Sequence, residues 1–447
     1  MCDRRFALLV ALFGAVASPA TAQERCLLQV LNVDRQGVQT QQEGDFRNYF
    51  AGGNVRMRCV GQEVRMWSDS LASYQGQVIQ FIGSVRYADS TVEMTADFGT
   101  YFRDADRWEA RGNVVLTNLS SGAVLRGPTL DYLRQVLGTR DEAELFADLR
   151  PTVSIPVSDS LGQEEAPYIL VADRVRMRGE DQMFAGGRVT VDREDLEARA
   201  DSMRLDTGEG SDGTLLGTAS IRRVAEDSFN LVGNRIDLEL EQREIRRVHS
   251  QGDAHLVAPA LDLEADNVAL DLVARQVELI LAWGDSLRPA ARSSDGYEIF
   301  GDSLAFDTPE QQLEAARAFG DGWVGALPDS ATGERDWVSG DSVEVRFVVI
   351  ADSAGGADRT TLDGLEARGN AKAFYRLSPA PGAGPERPIF YTRANFIQII
   401  MKHLATETTV EEVISRGDVD GLHLQPGGLV PRPATVPPPP PPGGAPR

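Results

Sequence analysis

WEARGNVVL, residues 108–116, alternates apolar and polar side chains on either side of a Gly-Asn pair, and LEARGNAKA, residues 365–373, does so again. Looser copies surround these two: FAGGNVRM (50–57), FIGSVRY (81–87), FAGGRVTV (184–191), SQGDAHLV (250–257) and SRGDVDGL (415–422). Period-two alternation is the signature of a half-buried β-strand. A glycine followed by Asn, Ser or Asp marks a bend or bulge that needs backbone freedom.

A second motif alternates with the first and centres on Ala-Asp or Gly-Asp. EMTADFGTY (93–101), ARADSMRLD (198–206), LEADNVALDL (263–272), IFGDSLAFD (299–307) and VSGDSVEVRF (338–347) carry it. LVGNRIDLEL (231–240) holds the same slot with Asn234 in place of Asp. Here the apolar parity slips by one: Leu261, Leu263 and Ala265 share a face, but Val268 and Leu270 follow. Such a slip turns the other face inward unless the strand bends. Each slot therefore reads as a corner where a strand passes from one sheet to a facing one, with the aspartate bonding the amides of the bend. The slots fall at Asp69, Asp97, Pro128, Asp173, Asp201, Asn234, Asp266, Asp302, Asp341 and Asn395. A spacing of about thirty residues means a repeat stack, and alternation favours antiparallel over parallel strands. The inward parity selects Val55, Met57, Val85, Tyr87, Val114, Leu116, Val175, Met177, Val189 and Val191. Pattern alone reads these ten equally well as plain core or as the lining of a trough. The best helical candidate is Thr139–Leu149.

The chain opens with Arg4-Arg5, an apolar run from Phe6 to Ala17 and a small-x-small site at Ala20–Ala22. That is the pattern of an export signal over residues 1–22, too short to span a membrane. Export to the periplasm is expected, with association to the outer membrane as an option. A net charge of -22 repels phosphate backbones and argues against nucleic acid. Only Lys372 and Lys402 are lysines; the other basic residues are arginine. Beyond the signal, Cys26 and Cys59 form an even pair, which export favours as a disulfide; two unpaired thiols are the alternative. The histidines are scattered, so no metal site, cofactor or catalytic group is expected. Gly-Asp-Ser-Leu at 301–304 is a motif of one esterase family, yet here it occupies the repeat slot, as Arg416-Gly417-Asp418 does. Residues 427–447 are proline-rich and unable to build sheet or helix.

Gly-Asn-Val followed by alternation, then Ala-Asp-x-hydrophobic, resembles the LptA/OstA-like family of periplasmic lipopolysaccharide-transport proteins. GGNVRMRC, TADFGTYF, ARGNVVL and LRGPTLDYL carry the likeness between Phe50 and Tyr132. NFIQIIM and ISRGDVDGLHLQP resemble the family's closing unit, whereas Asn234 and AWGDSLRPAARSSDG (282–296) depart from its pattern. The division is then OstA-like repeats over 23–137, an insertion over 138–167, degenerate repeats over 168–290, and repeats with a closing unit over 291–426. The resemblance implies an all-β, elongated open β-jellyroll of antiparallel strands with an apolar trough. It also implies a non-enzymatic conduit for lipopolysaccharide or a related glycolipid. Inner- and outer-membrane transport components would join it by end-to-end strand pairing, with self-association by the same edges. The competing reading is a passive exported β-scaffold, adhesin-like, with a closed dry core.

Overall fold

Almost every alternating segment is a strand, and the pairings between consecutive long strands are antiparallel. The computed structural model describes residues 26–34, 37–136, 138–158, 163–208, 211–224, 228–241, 244–284, 286–294, 296–328, 333–350, 359–377, 387–403 and 408–424. The expected signal at 1–22 and the proline-rich stretch 427–447 lie outside these residues. The chain divides into two compact units, residues 1–120 with 124–148, and residues 121–123 with 149–447.

Unit 1 is a run of hairpins: Phe46–Cys59, Arg65–Tyr74, Val78–Ala88, Val92–Phe102, Arg107–Asn118 and Val124–Leu133, with Leu28–Asn32 and Gln39–Glu43 on the outer edge of the first. Cys26 and Cys59 are joined in a disulfide, their Cα atoms 5.1 Å apart, which fastens that edge. Unit 2 continues the same plan through Gln182–Arg193, Leu196–Asp206, Asp212–Arg223, Phe229–Glu241, Glu244–Ala258 and Leu261–Val273, and later through Ala315–Ala326, Trp337–Ile350, Arg359–Arg376 and Ile389–His403.

In both units the long strands bend in the middle, and the bend has one recurring cause. On alternate strands a Gly-X pair lies in the left-handed region, for example Gly53-Asn54 at φ +84° and +48°, Gly112-Asn113 at +77° and +47°, and Gly369-Asn370 at +69° and +47°. Pairing slips at each of them, as between Gly52 and Val55 or Arg111 and Val114. The neighbouring strand sets its Asp beneath the glycine: a Cβ on Gly112 would lie 2.5 Å from an Asp97 carboxylate oxygen. Only glycine fits there, for both conformational and steric reasons. The side chain at X then donates to that aspartate, from Asn113 Nδ2 to Asp97 at 2.8 Å and from Asn370 Nδ2 to Asp341 at 2.9 Å.

Asn234, which reads as a departure from the pattern, obeys it in reverse. Its partner X is Asp253, so the amide now donates to the carboxylate, at 3.2 Å. Asn395 and Asp418 repeat this exchange. Where both positions are acidic, at Asp302 and Asp321, the Arg288 guanidinium supplies the missing donors, bonding the carbonyls of Gly320 and Asp321 and lying 3.6 Å from Asp302.

One expectation needs correction. Thr139–Leu149 is not helical: Glu144–Asp148 is a strand that pairs with Asp131–Leu133. Within the stretch 138–167, Thr152–Ser158 and the start of Glu164–Val171 form a hairpin. In the poorly matching region 282–296 the rung is broken in two, Gln276–Trp283 and Ala290–Ser293, and the next is broken into Tyr297–Phe300 and Ser303–Asp307. With Leu261–Val273 and Ala315–Ala326 these pieces close a circuit of six paired strands.

Candidate functional site

A bent strand gives each unit two facing half-sheets, with hairpins in two rows at the free ends. What lies between the halves, and what closes the rows, differs from one unit to the other.

In unit 1 the space is filled by rings. Trp108 is fully buried, with ring centroids 4.9 Å from Phe81, 5.0 Å from Tyr87 and 5.6 Å from Tyr101. Gly99 makes room for it, since a Cβ there would sit 2.8 Å from the indole. The indole N–H is buried with no hydrogen-bond partner, so this ring contributes volume rather than polarity. The rows are joined by a buried polar knot. Asp89 and Gln62 belong to hairpins at one end of the strands; Asp106 and Arg134 lie at the other. Arg134 stands 3.3 Å from Asp106 and 3.8 Å from Asp89, and donates to Gln62 at 3.0 Å. Tyr87 and Tyr132 donate to Asp89 at 2.7 and 3.0 Å, and Tyr101 donates to Asp106. Burial, reinforced by these carboxylates, pushes all three hydroxyls above the usual phenol range, so they stay protonated donors.

In unit 2 the facing positions are mostly aliphatic, with Phe229 and Phe306 among them, and cavities lie between them. One cavity of about 60 Å³ has an almost wholly apolar wall that includes Leu170, Val191, Met203, Leu205, Leu215 and Leu238, drawn from both half-sheets. A second, of about 290 Å³, opens between the rows, with Phe229, Leu256, Leu261, Leu270, Ile280 and Leu313 in its wall and Arg223 at its rim. Ion pairs cross the opening beside them. Arg193 and Glu165 come from one row, Glu244 and Arg275 from the other; Arg275 bonds Glu244 at 2.7 Å and also pairs with Glu165. Arg193 pairs with Glu165 and reaches Glu244 at 3.7 Å. Arg223 bonds Asp195 at 3.0 Å and the carbonyl of Arg275 at 2.6 Å. The hydrogen bond from Arg275 holds Glu244 below the usual carboxylate range.

Of the ten inward residues selected from sequence, nine are buried: Val55, Met57, Val85, Tyr87, Val114, Leu116, Val175, Val189 and Val191; Met177 is half-buried. Six of them belong to unit 1 and four to unit 2, and Val191 is the one that lines a cavity described above. Met203, Leu205, Leu238, Leu256 and Leu270 lie within the repeat motifs, but nothing in the motifs marks them as cavity lining, and the two polar closures carry no motif; inward parity on strands 196–206, 212–223 and 229–241 was the available signal. Among the described residues no group of His, Cys, Asp and Glu is placed to hold a metal, and no helix is long and apolar enough to cross a membrane. Asp302 of the Gly-Asp-Ser-Leu tetrad lies under Gly320, in the bend.

No family model matches the chain, and no curated protein matches it.

Proposed function

We propose that this protein shields the acyl chains of an exported glycolipid, of which lipopolysaccharide is the leading candidate, during passage between two membranes. The apolar cavities of unit 2 carry the reading. Their walls come from both half-sheets, and the larger one opens between the hairpin rows, so an acyl chain can enter sideways while its polar head stays in water. A volume of about 290 Å³ approaches the lower bound of ligand pockets, ~300 Å³. The resemblance to the LptA/OstA-like repeats and the expected export signal agree with this role. Partners would attach by strand addition: among the described residues, Leu28–Asn32 and Asp420–Leu424 pair on one side alone. The competing scaffold reading draws its support from unit 1, where Trp108 is fully buried among the rings of Phe81, Tyr87 and Tyr101.

Photo-crosslinking tests the proposal. A reactive residue at Leu205, which lines the smaller cavity, should capture labelled lipopolysaccharide in cells, and one at the exposed Arg204 should not. Equal capture at both, or none at Leu205 in folded protein, would favour the closed scaffold.

A further inference from the structure

Tryptophan is used in an unusual place in this chain. Of its five tryptophans only Trp108 is core, while Trp67, Trp283, Trp323 and Trp337 are half-buried. Trp323 and Trp337 stand on neighbouring strands of unit 2, each beside an inward, buried valine, Val324 and Val338, so both rings face outward. Phe374 lies directly across from Trp337, and Tyr391 directly across from Phe374. Ring centroids are 6.5 Å apart for Trp337 and Phe374, nearly parallel at 13°, and 6.4 Å for Trp337 and Tyr391. On the next strand, Trp337 faces Gly325, whose missing side chain leaves the floor on which the Trp323 ring lies. A shallow depression results, lined by Trp323, Trp337 and Phe374 with Glu334 and Arg335.

A row of cations runs beside this row of rings. Lys372 and Arg393 are cross-strand neighbours, each two residues from Phe374 and Tyr391 respectively, about 7 Å along the strands. Both are exposed; Lys372 faces Ser339 on one side and Arg393 on the other, and Asp420 lies directly across from Arg393 on the following strand. Arg393 is held in place by the Tyr391 hydroxyl, at 2.8 Å. In a chain of net charge -22, two adjacent cations against one aspartate leave this row net positive, with four outward rings as flat apolar ground beside it.

We propose that this outer face binds a saccharide bearing a phosphate or carboxylate group. The C–H faces of sugar rings would stack on Trp337, Phe374 and Tyr391, and the anion would pair with Lys372 and Arg393. A lone anion site would not need the rings, and an apolar protein contact would not need the cations. The proposal rests on the lipid-shielding reading only in naming the source: the saccharide is the head of the carried lipid, outside the sheet whose interior holds the chain.

The test uses the full chain with four probes: a phosphorylated glucose oligosaccharide, the same oligosaccharide without phosphate, inorganic phosphate, and a fluorescent fatty acid. Calorimetry and tryptophan emission should show the phosphorylated sugar binding roughly tenfold or more tighter than the neutral one, as charge-assisted bonds require, and inorganic phosphate binding neither ring row nor emission-shifting site. Trp337→Ala should abolish binding. The surface double variant Lys372→Ala/Arg393→Ala, which leaves the sheet intact, should reduce the phosphorylated sugar to the neutral level. Neither variant should alter fatty-acid uptake. Sugar binding without fatty-acid uptake would uphold the platform for a free anionic saccharide and remove the lipid reading. No sugar binding, equal binding of phosphate alone, or full affinity in both variants would overturn the proposal. So would tight binding of a synthetic peptide of residues 431–447 with the sugars inert, which would reassign the rings to a proline-rich partner.

Discussion

Unit 1 and unit 2 are built from one repeat, yet rings pack around Trp108 in the first while cavities lie between the half-sheets of the second. The backbone plan, Gly-X opposite Asp, is common to both. The difference lies in what points inward: Phe81, Tyr87, Tyr101 and Trp108 in unit 1, but Ala198, Met203, Leu205 and Leu215 beside the gap in unit 2. Native interiors tolerate few voids larger than a water molecule, so a persistent apolar gap between ordered sheets is a departure from ordinary packing. The closures differ in the same sense. Arg134 and its two aspartates are buried, whereas the Arg275 and Glu244 side chains remain 39% and 28% exposed. A buried ionic knot makes a seal; in unit 2 Arg193 is as buried as Arg134, and only the Arg275–Glu244 edge of the closure is half-exposed and can open at small cost.

Several changes would break or sharpen this contrast. The largest effect is expected for Arg134→Ala, which strands Asp89 and Asp106 without their cation and should cost unit 1 about 3–5 kcal/mol in denaturant unfolding. Trp108→Ala should cost about 3–5 kcal/mol through the cavity it leaves, and it adds a sharper readout: if ring volume is what separates the units, this variant should begin to take up a fluorescent fatty acid. Replacing Cys26 and Cys59 by serine should lower stability by about 3 kcal/mol, measurable also as dependence of the wild type on reducing agent. Asn234→Asp, which sets two carboxylates face to face in a unit 2 bend, should cost about 1 kcal/mol, and adding Asp253→Asn should restore most of it as a positive coupling in a double-mutant cycle. Arg275→Ala should cost the least, about 0–1 kcal/mol, while accelerating fatty-acid entry. Acid should act in the same direction. The folded state holds Glu244 below its usual value of 4.5, so the contribution of this pair is present above that pH and is lost as pH falls beneath it. Entry rates should therefore rise below about pH 4.5 in the wild type and be flat in Arg275→Ala.

The strands and their bends were legible because the physics that makes them is local. Alternation needs neighbours two residues apart, and the left-handed Gly-Asn pair announces itself at Gly53, Gly112 and Gly369. Where another residue adopts that conformation the signal vanishes: Leu149 and Arg150, at φ +66° and +65°, separate two strands with no glycine, and the segment around them read as an insertion with a helix. The seemingly aberrant Asn234 was readable in principle, since Asp253 in SQGDAHLV is its complement, but the rule appears only once the two bends are seen side by side. The candidate site was less legible than the fold. Inward parity marks Val85 and Val191 identically, and nothing local tells which one faces an indole and which one a gap. Arg134 with Asp89, like Arg275 with Glu165, is far apart in sequence and meets only because the strands fold double.

The paired bends also act as a ruler. Each Gly-X bend requires an acid or amide on the strand before it, so strands can be added or lost only two at a time without leaving a bend unmatched. The hairpin tips carry no such constraint. The chain between Ile350 and Arg359, and that between Arg376 and Ile389, joins consecutive strands. A lineage of such chains could therefore change its reach in whole hairpins and vary its tips freely, while the bend chemistry stays fixed.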